Sequence, residues 1–457
     1  MASDHTAVVI GASMGGLLAA RALSDSHTRV VVVDRDDLPT LPADRRGVPQ
    51  GRQLHVLLSR GREALEELFP GLTQQMRDLA VPLMDLHGQV TWYNDGHVMA
   101  RAESSIIAAG MSRPLLEYTV RSRVAALPGV EFLPATEALG LVATPDRQRV
   151  TGVRLRHRDG TEQTITADLV VDACGRASRT PTWLGDLGYD APAEEEVRIE
   201  VTYVTRVYRH EPHHLGGLLG VLTNPVPGAP RAGVAGVLQD GQIAVALSGV
   251  LGEQPPTDDE GMLSFAESLA PPQIAEVVKS AQPLTDAVAM RFPASRRRRY
   301  ERLRRFPAGY LVVADALCSF NPLYGQGMTV AALQALLLRR LLTTGDAQLS
   351  RRFFRASARV IDAPWAIAVG SDLRFPEVEG PRPAPVRFFN AYIHRLHIAA
   401  TADATLGAAF LRVVNLVDPP TALLAPGTVL RVLRGFWRGR GGARRVPESP
   451  RSTHPGS

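Results

Sequence analysis

Three observations predict an α/β fold with an interleaved antiparallel β-sheet and a run of C-terminal helices. The chain opens on a strand of buried type, Thr6–Ile10, then the turn Gly11-Ala-Ser13-Met14-Gly15-Gly16 and the helix-forming run LLAARALSD. A second such unit lies late: the apolar run 311–314 ends on Asp315, and Asn321, Pro322, Gly325 and Gly327 lead into a long apolar helix pattern. Between them, residues 196–209 and 233–251 read as strands, and the chain beyond residue 342 reads mostly as helix. Strand, acid, glycine loop and helix in succession build an anion-receptive pocket at a helix N-terminus.

At 457 residues the chain is long enough for two connected domains, and 45% apolar with 21% charged content is that of a globular protein. A formal charge of +5 and a pI near 9.5 raise the question of nucleic acid. The basic residues are nearly all Arg, spread along the chain without interleaved aromatics, and this argues against it. Cys174 and Cys318 give neither a disulfide framework nor a metal spacing, so a reducing cytoplasm and no metal are expected. The first residues lack the basic segment of a signal peptide, and no stretch approaches the ~20 apolar residues of a spanning helix. Stable membrane insertion is therefore not expected. Oligomeric state is not addressed by the sequence.

Taken in order, Gly11 permits the tight turn and Gly16 close packing of helix on strand, with the helix N-terminus left to receive a pyrophosphate. The second strand, Arg29–Val33, ends on Asp34, about 20 residues on, where a carboxylate accepts ribose hydroxyls and repels a 2′-phosphate. Ser13 stands where the fingerprint usually has its second glycine. This is a Rossmann-like unit, with Met14, Gly15 and Arg35 beside its phosphate and ribose positions. In the loop RRGVPQGRQLH, Arg46 and Arg52 are candidates for phosphate, and Gln53 and His55 for a substrate. Arg113 precedes Pro114, which suits a first helical position, so a helix N-terminus and a guanidinium can meet one anion there.

Val150–His157 alternates as a strand, Asp159-Gly160 turns, and 161–166 returns. A buried strand over 167–173 then carries Asp172 into Cys174-Gly175-Arg176, a third strand–acid–glycine element. The alternation in VRIEVTYVTRVY, Tyr203 included, fits a sheet with one face covered and the other lining a cavity. Residues 258–281 read as one helix and the basic run 296–305 as a solvated face. Helices are expected over 349–361, 384–416 and 421–433. The basic tail from Arg434 is expected to be disordered, with Trp437 a candidate for contact with a membrane surface.

Jointly, GASMGG with Asp34, the DACGRAS turn and ADALCSFNPLYGQGM resemble the group A flavoprotein monooxygenases, the single-component FAD hydroxylases, over residues 6 to about 340. RRGVPQGRQLH with FNPLYGQGM is most similar to actinobacterial members that tailor polyketides, polyether epoxidases among them. The resemblance implies a Rossmann-like FAD-binding domain (1–190 and 285–345), a β-sheet substrate domain (191–284) and a helical region (346–433), before the tail at 434–457. It implies that Gly11, Ser13 and Gly16 hold the pyrophosphate, Asp34 the adenosine ribose, Arg113 the ribityl–phosphate region and Asp315 the ribityl chain. Asp172 and Gly175 match the motif tied to FAD and NAD(P)H. Pro322, Gly325, Gly327 and Met328 would flank the isoalloxazine, where the next helix dipole favours the anionic reduced flavin.

The implied reaction uses FAD, transient NAD(P)H and O2 to epoxidise or hydroxylate a hydrophobic small molecule through a flavin C4a-hydroperoxide. No protein nucleophile is needed and no catalytic residue is assigned. Ala314 replaces the family's glycine before Asp315, a departure expected to be sterically mild. Ser319 and Phe320 stand where many hydroxylases carry His, which weakens a phenol reading and leaves Phe320 as a substrate contact. A flavin halogenase would need a pocket lysine; Lys279 is the only lysine, and the WxWxIP signature is absent. An FAD-binding non-redox cyclase of the [4+2] type would carry the same cofactor motifs and is the rival reading.

Overall fold

The computed structural model describes residues 5–345 and 348–439. Five parallel strands form the first sheet, in the order Tyr310–Val312, Leu169–Asp172, Thr6–Ile10, Arg29–Val33, Val130–Leu133. Runs such as Val30 to Val33 are buried on both faces, as a parallel sheet covered by helices requires. Helices Met14–Leu23 and Gly327–Leu342 pack on one another beside it, and the two glycine turns of the sequence both open beyond the carboxyl ends of its strands. The expected 150–166 hairpin forms, and with Thr136–Ala143 it makes a three-stranded meander.

The large sheet has eight strands, in the order Cys318–Ser319, Val288–Arg298, Glu194–Arg209, Gln242–Gly249, Arg231–Leu238, Gly220–Thr223, Val90–Asn94, His97–Val98. It is not confined to 191–284: one edge comes from residues before the Rossmann meander closes, the other from the strand that returns to it. The basic run is a solvated face only in its second half, where Arg302, Arg304 and Arg305 are exposed. Its first residues finish a strand in register with three glutamates, Arg296 on Glu196, Arg297 on Glu195 and Arg298 on Glu194. Arg297 and Arg298 are buried, and Arg298 meets Glu194 at 2.8 Å, Arg299 meets Glu195 at 2.7 Å and Arg297 meets Asp362 at 2.7 Å.

The helical expectations hold in position and fail at proline and caps. Pro271-Pro272 splits 258–281 into Asp259–Glu267 and Pro272–Ser280. Leu349–Asp372 runs through Pro364 instead of stopping near residue 361. Asp403 accepts the Thr405 N–H and starts a new helix, so 384–416 is Ala384–Ala399 and Ala404–Val414. Residues 421–433 are the 3-10 turn Pro420–Leu424 followed by Pro426–Gly439. Arg434 to Gly439 are therefore helical, not disordered. The tail from 440 and the Trp437 side chain lie outside the described residues.

Candidate cofactor and substrate site

One cavity of about 1160 Å³ runs from the carboxyl ends of the parallel strands, at Ile10 and Val33, to the C-terminal helices at Phe388 and Leu424. At its inner end lies a bay between the two helix N-termini. Gly11 turns there at φ +106°, and a Cβ on it would stand 2.8 Å from the Ala173 carbonyl oxygen. Ser13 caps the Met14–Leu23 helix by position, yet its hydroxyl makes no bond to that helix. It donates to Glu117 Oε2 at 2.8 Å and accepts from Arg113 at 2.9 Å. The first N–H groups of the helix thus stay without a side-chain cap, with Met14 and Gly15 on the cavity wall. Gly16 serves packing only: a Cβ on it would sit 1.7 Å from the Gly11 carbonyl oxygen, and it does not line the cavity.

Charge in the bay is tied together by Glu117, which sequence reading missed. It accepts from Arg45 Nε at 2.7 Å and lies 3.6 Å from Arg113 and 4.0 Å from Arg121. The one available signal was the helical spacing Arg113, Glu117, Arg121. Arg46, the expected phosphate ligand, is exposed and off the cavity wall. Its neighbour Arg45 turns inward instead, 3.3 Å from Asp34 and 3.1 Å from the Ala12 carbonyl oxygen. Burial pulls the Arg45 pKa down, but Glu117 and Asp34 outweigh it and the net shift is upward. Asp34 lines the bay and accepts the Ala12 N–H at 2.6 Å and the Asp36 N–H at 2.9 Å, with exposed Arg35 beside it.

Asp172 is a correction of role. It is fully buried, does not reach the cavity, and accepts from the Cys174 N–H, Ser178 Oγ and Thr180 Oγ1. Its carboxylate builds the turn that presents Gly175, at φ +63°, to the bay. Across the bay stands Asp315. Ala314 before it adopts φ +54°, a left-handed conformation costing a non-glycine residue about 1 kcal/mol. The substitution is therefore not the mild departure expected, and Gln334 Oε1 holds the Ala314 N–H at 2.8 Å in partial compensation. Asp315 lies deep in the fold, yet its side chain faces open cavity space. Burial raises its pKa, against the pull of Arg113 and Arg176.

Pro322, Gly325, Gly327 and Met328 line the passage from bay to chamber. Asn321 Oδ1 accepts the Leu323 N–H, Gly325 closes the turn at φ +66°, and the Gly327–Leu342 helix begins with no side-chain cap bond. The chamber beyond is mostly apolar. Gln53, His55, Tyr203 and Phe320 all line it. Burial, then the Arg113 charge, lowers the His55 pKa to about 4, so the ring is neutral near pH 7. Its Nδ1 donates to the Gln53 carbonyl oxygen at 2.9 Å, leaving Nε2 as an acceptor. Burial pushes the Tyr203 hydroxyl up to about 12 and keeps it a donor. Buried Ser319 accepts from Arg176, so this position offers no proton-transfer group.

A second polar knot on this wall also escaped sequence reading. Asp95, at the turn between Val90–Asn94 and His97–Val98, pairs with Arg374 at 2.6 Å, His397 at 2.8 Å and His394 at 3.1 Å. These hydrogen bonds and charges hold its carboxyl well below the usual range, against the opposing effect of burial. Asp95, Arg374 and His397 line the cavity, and no spacing in the sequence joins them.

The bay fits a dinucleotide cofactor on its own geometry: two uncapped helix N-termini, a glycine contact closed to any Cβ, an acid at a strand end, and an arginine, Arg113, whose buried Nε has no partner. An FAD binding domain family model matches residues 4–215. The chain is 37% identical over 440 residues to Protein Rv3254 of Mycobacterium tuberculosis, covering 91% of this chain and 90% of that one. It is 25% identical over 379 residues to a kynurenine 3-monooxygenase of Salinispora tropica, covering 74% and 72%. A flavoprotein/dehydrogenase structure from Cytophaga hutchinsonii superimposes with a TM-score of 0.69 at 15% identity, covering 95% of this chain and 99% of that one, and shares the fold. The chain belongs to the FAD-binding-domain family and is a flavin-dependent oxidoreductase with FAD as its cofactor.

Proposed function

We propose that this chain is a monooxygenase that uses NAD(P)H and O2 to epoxidise or hydroxylate a hydrophobic, polyketide-type small molecule. The observation that carries the reading is the continuity of the bay with an apolar chamber, joined at the Pro322–Met328 loop. Bound FAD supplies the redox chemistry, taking electrons from NAD(P)H and activating O2. Gly11, Ser13, Met14 and Gly15 would hold its pyrophosphate, Asp34 its adenosine ribose and Arg113 with Asp315 its ribityl side. The helix starting at Gly327 would set positive potential at the ring's edge.

The chamber residues position and exclude water. Neutral His55 offers an acceptor and Tyr203 a donor, while Phe320 and the sheet supply apolar contact. His55 is too weak a base near neutrality to ionise a phenol readily, which favours an alkene as the oxygen acceptor. Kynurenine 3-monooxygenase, the named activity of one relative, supports oxygen insertion as the reaction class. The test is a purified, yellow protein assayed with NADH and NADPH against polyketide alkenes and phenols under ¹⁸O2. The expected result is NAD(P)H oxidation with ¹⁸O in the product. Bound FAD with substrate cyclised and no ¹⁸O incorporated would hand the site to the non-redox cyclase reading.

A further inference from the structure

Among the described residues, Phe388, Leu424, Leu430 and Leu433 are large apolar side chains left exposed, at 61%, 41%, 46% and 49%, within the last helical segments. Phe388 and Leu424 stand close together. Phe388 stacks on Tyr392 with the rings 6.5 Å apart, and the Tyr392 hydroxyl donates at 2.6 Å to the Leu423 carbonyl oxygen beside Leu424. Phe388 and Leu424 also line the cavity, so they stand at its rim. Helix Pro426–Gly439 carries three stripes. Val429, Val432 and Gly435 turn toward Ala384–Ala399, where a Cβ on Gly435 would come within 2.7 Å of the Ala399 Cβ. Leu430 and Leu433, next round the helix, stay in the open, and Arg431 and Arg434 follow, both exposed.

The charge on these helices says what fits there. Ala384–Ala399 and Pro426–Gly439 contain five arginines, Arg387, Arg395, Arg431, Arg434 and Arg438, and no Asp or Glu. Arg431 meets Asp403 at 3.0 Å, and the other arginines leave these helices net basic, so a second copy would be repelled. The chain beyond, 440–457, adds Arg440, Arg444, Arg445 and Arg451 against Glu448. No described helix is long and apolar enough to cross a bilayer. An amphipathic helix with an apolar stripe beside arginines lies instead in the interface, its apolar side chains among acyl chains and its guanidinium groups at phosphates.

We propose that this face docks on an anionic membrane surface and sets the cavity rim at the lipid boundary, where an apolar substrate partitions. The docking does not depend on the monooxygenase reading, and it is measured without NAD(P)H or turnover. Full-length FAD-loaded protein is sedimented with vesicles of phosphatidylcholine alone or mixed with phosphatidylglycerol, at low and physiological salt. The expected result is binding to the mixed vesicles about tenfold or more tighter than to neutral ones, weakened by salt. Leu430→Ser with Leu433→Ser weakens it about tenfold or more. Arg434→Glu weakens it severalfold, and all variants keep their flavin absorbance. Failure of the wild type to sediment with anionic vesicles at low salt overturns the proposal. Unchanged binding by the leucine variant also does so. So does a dimer in light scattering that this variant abolishes, which would assign the face to a second copy.

Discussion

The bay and the chamber solve the same problem, holding polar groups in a buried cavity, by opposite means. In the bay, Ser13, Asp34 and Arg45 come from one β-α-β unit and its following loop, and Glu117 and Arg113 from a single helix turn against it. In the chamber, Asp95 gathers partners from Arg374, His394 and His397, and Asp372 ties Asn321 and Tyr324 to the far end of another helix. A site made of local backbone turns tolerates almost no change in volume. A site assembled from distant side chains tolerates substitution at its rim and depends on a few buried knots. The sharpest way to break this contrast is Gly16→Val. Its branched side chain would begin 1.7 Å from the Gly11 carbonyl oxygen, so the fingerprint turn must move. Loss of FAD and a drop of about 3 kcal/mol or more in urea denaturation is expected. Phe388→Ala at the chamber rim, 61% exposed, should stay within about 0.5 kcal/mol.

Next in size is Glu117→Gln. The amide keeps the shape but turns one of two acceptor oxygens into an N–H2 donor, and it removes the one carboxylate shared by Arg45, Arg113 and Arg121. Breaking a buried pair leaves an uncompensated charge, so the cost is about 3 kcal/mol, with weaker FAD binding as Arg113 loses its anchor. Glu117→Asp, one methylene shorter, should recover part of the stability. Equilibrium unfolding with flavin fluorescence reads both. A Gln variant as stable as the wild type would place the organising charge elsewhere in the bay.

The same contrast explains what was legible in the sequence. Strand, acid, glycine turn and helix are consecutive residues, so the parallel sheet, Gly11, Gly15, Asp34, Asp315 and the 322–328 loop could be read directly. Arg45 and Arg46 could not be told apart, because which of two adjacent arginines turns inward depends on Glu117, seventy-odd residues away. Asp172 looked like a cofactor ligand because it ends a strand as Asp34 does; only the fold shows Ser178 and Thr180 consuming its carboxylate. The first half of the arginine run misled for a related reason. Its hydrophilicity suggested solvent, while its register partner is the Glu194–Glu196 run at the start of another strand. Asp95 and His397 had no pattern to betray them.

Smaller than the loss at Glu117 is an effect on the chamber side, and it is one of pH. Asp372 is 1% exposed; its Oδ1 accepts from Asn321 Nδ2 at 3.0 Å and from the Tyr324 hydroxyl at 2.8 Å, while its Oδ2 has no partner. Burial, the dominant cause, raises its pKa to about 7, against the two hydrogen bonds that lower it. A carboxyl that holds its proton in the folded chain up to about pH 7, but releases it near 4 when unfolded, adds stability at low pH that is lost as pH rises through about 7. Asp372→Asn keeps an oxygen for Asn321 and Tyr324 and cannot ionise. The variant should therefore gain on the wild type between pH 5 and pH 8, by about 1–2 kcal/mol. Thermal denaturation of the FAD-loaded protein at the two pH values measures the difference. An equal response in both proteins would mean that Asp372 is already ionised at pH 5. The Asn321–Gly325 loop would then be pinned by a charge, as in the bay, and the contrast between the two regions would shrink to one of sequence distance.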